Sequence, residues 1–160
     1  MKISIRNLSN KRRSKQAMNE LKEFAREQAE LLGIDSKIKE IRLRYTTDFH
    51  GYFPKGKPLY GFKKLFSKGI VRIDLTRHWD ISQSVRKSSI HHELIHVKQI
   101  INKDLQINRT GTIIKWKGKV INSWKKFRFD KQEEKRGKAF FNYTVKLLPW
   151  ERDVLTSNWK

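Results

Sequence analysis

The sequence predicts a single α+β domain, and three observations lead to it. Stretches with apolar residues three and four apart are interleaved with short runs that alternate every second residue. The chain has 160 residues, enough for one domain with a real core and too few for two ordinary ones. Nine Phe, five Trp and four Tyr supply large apolar surfaces to a chain in which 33% of residues are charged, which argues against disorder over most of its length. No repeat and no linker divides residues 1–160.

"ISI" at 3–5 reads as a short strand. From Ser9 to Leu32 the spacing of Ala17, Leu21, Phe24, Ala25 and Leu32 predicts a helix that Gly33 ends. Residues 37–45 alternate Ile38, Ile41 and Leu43 with charges and read as a strand. The Gly and Pro density of 46–61 marks a loop or hairpin. "GIVRIDLT", 69–76, is the clearest strand, with Val71, Ile73 and Leu75 on one face. A second helix is expected from about Ser82 to about Asn102. A hairpin follows over 112–121, turning near Lys117-Gly118. Residues 131–146 are ambiguous. Pro149, which needs no backbone donor in a first turn, opens a last helix over 149–158.

The formal net charge is +21, from 37 Lys+Arg against 16 Asp+Glu. Such self-repulsion costs stability and points to a polyanionic neighbour. Nucleic acid is the commonest one, and an anionic membrane surface or an acidic protein fits on charge alone. Without cysteine, disulfides and thiolate metal sites are excluded. The basic N-terminus has no apolar run behind it, so neither a signal peptide nor a membrane span is expected. A cytoplasmic protein without a membrane partner is the expectation.

"SSIHHELIHVKQ", 88–99, holds His91, His92 and His96. Two histidines bind one metal from a helix only if they share a face. His92 and His96, at i and i+4, lie about 40° apart on the helical wheel, whereas His91 is about 140° from His96. The pair falls on the far side from the stripe Ile90, Leu94, Val97 and Ile101. That weakens a core-packing role but leaves a solvated polar face open as the ordinary alternative. Glu93 completes His92-Glu93-Leu94-Ile95-His96, the H-E-x-x-H pattern. In that pattern the imidazoles hold Zn²⁺ and the glutamate takes a proton from the water there.

A catalytic zinc takes three protein ligands. No histidine follows His96, and the longer metzincin pattern fails at Gln99 and Asn102. His50 or His78 upstream would be an unusual third ligand; both read as structural or surface residues. The downstream candidates are Asp104, Asp130, Glu133, Glu134, Glu151 and Asp153. Asp104 follows too closely, and Asp130, Glu133 and Glu134 lie in a charge-rich stretch. Glu151 and Asp153 sit among Leu148, Trp150, Val154 and Leu155, where a carboxylate needs a compensating partner. Glu151 is the preferred ligand; a first-turn glutamate favoured by the helix dipole is the alternative.

"HHELIHVKQ", "IKWKGKVI" and "YTVKLLPWERDV" together resemble a family of small zinc metallopeptidase-like proteins of the gluzincin type, found in bacteriophages and bacteria. The resemblance covers roughly residues 69–155. It rests on H-E-L-x-H-x-x-Q, a W-K-G-K hairpin and a closing Leu-Pro-Trp-Glu. It implies a zincin-like fold, a small mixed or antiparallel sheet with an N-terminal helix and the motif helix. It also implies zinc on His92, His96 and Glu151, with Glu93 as general base. Tyr143 matches an aromatic near the closing glutamate, implying a part in steadying the oxyanion. The family's E-x-E-A ending departs here to Asp153 and Val154. In such folds the strand before the motif helix borders the cleft, so 69–76 is expected to receive an extended peptide.

The stretch between Asp104 and Asp130 contains no acid. It interleaves Arg109, Lys115, Lys117, Lys119, Lys125, Lys126 and Arg128 with Trp116, Trp124, Phe127 and Phe129, a combination suited to phosphates and bases. An ordinary hairpin, with Ile114 and Trp116 inward and lysines outward, explains the aromatics better. Two functions are therefore expected to compete. One is zinc-dependent hydrolysis of a peptide or protein substrate. The other is a non-catalytic role on a zincin scaffold, as a nucleic-acid-binding or phage structural protein with assembly partners.

Overall fold

The computed structural model describes residues 1–7, 13–45, 65–75, 82–108, 114–121 and 149–156. They form a mixed α+β arrangement of three helices and two sheets. The expectations for 46–61 and 131–146 lie outside the described residues. Two compact units are distinguished, Met1–Ile101 and Asn102–Lys160.

In the first unit, β1 (Lys2–Asn7) is parallel to β2 (Glu40–Tyr45), and β2 is parallel to β4 (Ile70–Leu75). The two-residue β3 (Phe66–Ser67) pairs antiparallel with Ile70 and Val71, giving the order β1-β2-β4-β3. Parallel neighbours cannot be joined by a tight turn, and α1 (Lys15–Leu31) makes the crossover between β1 and β2. Because β4 has neighbours on both sides, it is not the free edge expected of a peptide-receiving strand over its first two residues. Lys68 and Gly69 turn the chain between β3 and β4 with φ of 52° and 76°, the double positive φ that lets a two-residue turn match strand twist.

The predicted first helix starts later than Ser9. Arg13 and Ser14 are non-helical, and Ser14 caps α1 by accepting from the Ala17 N–H. At its other end Gly33 adopts φ 66°. The Gly33 N–H bonds to the Glu30 carbonyl and the Ile34 N–H to that of Ala29, the paired bonds of a Schellman ending. A second helix, α2 (Gln83–Ile101), matches the expected 82–102 closely. The Gln83 side-chain amide donates to the Ala17 carbonyl at 2.7 Å, tying the start of α2 to α1.

Strand register sorts the sheet into two faces. Ile41, Leu43, Tyr45, Val71, Ile73 and Leu75 join Leu21, Ala25 and Ala29 of α1 and Ile90, Leu94 and Val97 of α2 in one buried core. The alternate residues form a face that is polar and basic.

The second unit contains β5 (Leu105–Ile107), β6 (Ile114–Trp116) and β7 (Lys119–Ile121), all antiparallel. The expected turn is present, with φ of 46° at Lys117 and 79° at Gly118. β5 is an additional strand, with Leu105 opposite Trp116. The closing helix is α3 (Pro149–Thr156). Its Trp150 is fully buried, with its ring centroid 6.4 Å from that of Trp116. Trp116 is half-buried while Lys115, Lys117 and Lys119 are exposed, as an ordinary hairpin requires. No helix among the described residues is long and apolar enough to cross a membrane.

Candidate metal centre

Ser82 opens α2, its hydroxyl accepting from the Val85 N–H at 3.3 Å. No Gly or Pro interrupts Gln83–Ile101, so the helix runs regularly through the motif and keeps the i, i+4 relation of His92 and His96. Their Nε2 atoms lie 3.0 Å apart, with ring planes at 82°. Two nitrogens on one tetrahedral zinc, each at about 2.0–2.1 Å, would be about 3.3 Å apart. The observed pair is close to that spacing.

The solvated-face alternative does not hold. His96 is 2% exposed and His92 is half-buried; Ile95 between them is also buried. His96 is held by Gln99, one turn on, through Nδ1 and Oε1 at 2.9 Å. An amide oxygen only accepts, so Nδ1 carries the proton and Nε2 keeps its lone pair for a metal. Sequence reasoning gave Gln99 no role; its i+3 position after His96 was the available signal.

His91 faces elsewhere, as the wheel requires. It is buried, and its Nδ1 donates to Oε1 of Gln28 on α1 at 2.7 Å. Burial pushes its pKa below the usual histidine value, and the neighbouring His92 adds to that. The ring therefore stays neutral as it joins the helices. Gln28 stands 63 positions away, beyond the reach of any local pattern.

Glu151 lies in the first turn of α3 and is 7% exposed, between the buried Trp150 and near the buried Val154. One ligand atom from each of His92, His96 and Glu151 lies within 4.8 Å of the others. This group can hold a metal ion. The donor chemistry, two imidazoles and a carboxylate, suits a divalent metal with a position left open.

Asp104 and Asp153, the other candidate carboxylates among the described residues, are not in the group. Glu93 is half-buried on α2 beside His92. Tyr143, His50, His78, Asp130, Glu133 and Glu134 lie outside the described residues. No protein-family model, curated protein or solved structure matches the chain.

Proposed function

We infer that the chain is a zinc-dependent peptidase built as one zincin-like domain. The observation that carries this reading is the gathering of His92, His96 and Glu151 ligand atoms within 4.8 Å, with Glu93 directly following the first of them. A bound zinc would supply Lewis acidity, lowering the pKa of a water and polarising the scissile carbonyl. The two imidazoles and the Glu151 carboxylate would hold the ion, and Gln99 fixes the His96 tautomer. Glu93 accepts the proton of the attacking water and passes it to the leaving amine. Tyr143 is assigned, by resemblance to the gluzincin-type family alone, to the developing oxyanion. Bacteriophage or bacterial origin rests on the same resemblance.

Metal content and hydrolysis of an unstructured protein substrate test the reading together. About one zinc per chain is expected in the wild type. His92→Ala, His96→Ala and Glu151→Ala should each lose it. Glu93→Gln should keep the metal and lose about 10²-fold or more of the activity. Metal retained in Glu151→Ala would remove the proposed third ligand. Hydrolysis surviving Glu93→Gln would remove the proposed base.

A further inference from the structure

The outward face of the parallel sheet carries an array of cations that neither the core nor the metal centre uses. Register places Lys2 beside Glu40, Ser4 beside Arg42 and Arg72, and Arg6 beside Arg44 and Asp74. Neighbouring strands are about 4.8 Å apart, so Arg42 abuts Arg72 and Arg6 abuts Arg44 as like charges. Such juxtaposition costs stability.

Two carboxylates offset part of it. Arg42 donates from Nε to Glu40 at 2.8 Å, and this bond holds the Glu40 carboxyl below its usual pKa. Arg44 donates to Asp74 Oδ1 from Nε at 2.8 Å and from Nη2 at 2.7 Å. Arg6 and Arg72 make no ion pair with the described residues. Both guanidinium pairs remain accessible: the Arg42 and Arg44 side chains are 45% and 38% exposed. Aromatic side chains are absent from this face among the described residues, since Phe66 lies opposite Val71 on the core side and Tyr45 is buried.

We propose that this face is a docking surface for the sugar–phosphate backbone of duplex nucleic acid. Guanidinium groups match phosphate oxygens with paired N–H donors. A partner bearing regularly spaced anions removes the like-charge penalty of the two arginine pairs at once. With no ring on this face among the described residues, its guanidinium groups favour phosphates over stacked bases, and so a duplex over a single strand. Recognition would be independent of sequence. The surface belongs to the first unit and does not involve His92, His96 or Glu93.

The test is fluorescence anisotropy of the full chain with a labelled random-sequence duplex, across a salt series. Wild type should bind with log K falling linearly against log salt. Arg6→Gln with Arg72→Gln should lower that slope by about one unit per arginine removed. Lys115→Gln with Lys119→Gln removes the same charge from the β6–β7 hairpin and should change the slope less. An equal or larger change in the hairpin variant overturns the proposal. So does tighter binding to vesicles rich in anionic lipid or to poly-glutamate than to the duplex at the same salt. Modification of the wild type by phenylglyoxal, read by mass spectrometry, needs no folded variant. Duplex should protect Arg6 and Arg72, and modification unaffected by the duplex would also overturn the proposal. Zinc content, which the substitutions should leave unchanged, separates this outcome from failure of the peptidase reading.

Discussion

At the scale of single residues, the proposed metal centre depends on which nitrogen of each imidazole is free. Gln99 Oε1 accepts from His96 Nδ1, and so presents the Nε2 lone pair toward His92. On the proposed reading, Gln99→Ala should weaken zinc binding about 10–100-fold while leaving the fold intact, as measured by competition with a chromophoric chelator. Gln99→Glu, which still accepts the proton, should restore most of the affinity. An unchanged affinity in Gln99→Ala would reduce the residue to packing. A second residue-scale consequence concerns Tyr45. Burial raises its pKa above the ordinary tyrosine value, while Arg86 and Arg13, whose guanidinium carbons lie 5.6 Å and 4.8 Å from its ring centre, pull it back. A folded pKa above the unfolded one means that the stability contribution is full below about pH 10 and lost as pH rises through the folded value. Urea denaturation on either side of pH 10 should therefore show a smaller alkaline loss for Tyr45→Phe than for wild type. Equal losses would show that the Tyr45 hydroxyl is not the group being titrated.

At the scale of elements, what the sequence made legible is what is local. The helix bearing the motif was readable because Ile90, Leu94 and Val97 repeat at helical spacing, and the His92/His96 pairing follows from geometry within one element. Glu151 was readable from its apolar neighbours, since a carboxylate beside Trp150 and Val154 needs a partner. The parallel order β1-β2-β4-β3 was not readable, because each strand's hydrophobic alternation fits several neighbours equally well. The His91–Gln28 bond was hidden for the same reason, being a contact between helices far apart in sequence. The start of α1 is not legible, because the basic run before Ser14 contains no helix breaker and only the cap itself reveals the boundary. The two ends of α1 give a direct comparison. Ser14→Ala removes the acceptor for the Ala17 N–H and should cost about 1 kcal/mol. Gly33→Ala meets no atom within 4 Å of its new Cβ but stays at φ 66°, so its cost should be backbone strain alone, about 1–2 kcal/mol. Gly33→Asn should cost less than Gly33→Ala, because asparagine tolerates that conformation. Equal melting temperatures for the two Gly33 variants would mean that the left-handed ending is not maintained.

At the scale of the whole molecule, a formal charge of +21 on 160 residues acts against the compact state as a sum of long-range repulsions. These are what dissolved salt screens first. Between about 0.01 M and about 0.1 M monovalent salt the Debye length falls from about 30 Å to about 10 Å, which removes repulsion across the molecule but not the close contacts Arg42–Glu40 and Arg44–Asp74. The melting temperature should therefore rise over this range, each kcal/mol gained reading as about 2–4 °C in a chain of this size. The arginine rows on the open face concentrate part of the repulsion where Arg6 meets Arg44 and Arg72 meets Arg42. Arg6→Gln with Arg72→Gln should raise the melting temperature at the lowest salt and flatten its dependence on salt, because both residues lack an ion pair among the described residues and their removal breaks none. A melting temperature that falls as salt is added would mean that attraction between the few carboxylates and their arginines outweighs the net repulsion. A double variant less stable than wild type at low salt would mean that these two side chains are held by contacts stronger than the like-charge opposition their register imposes.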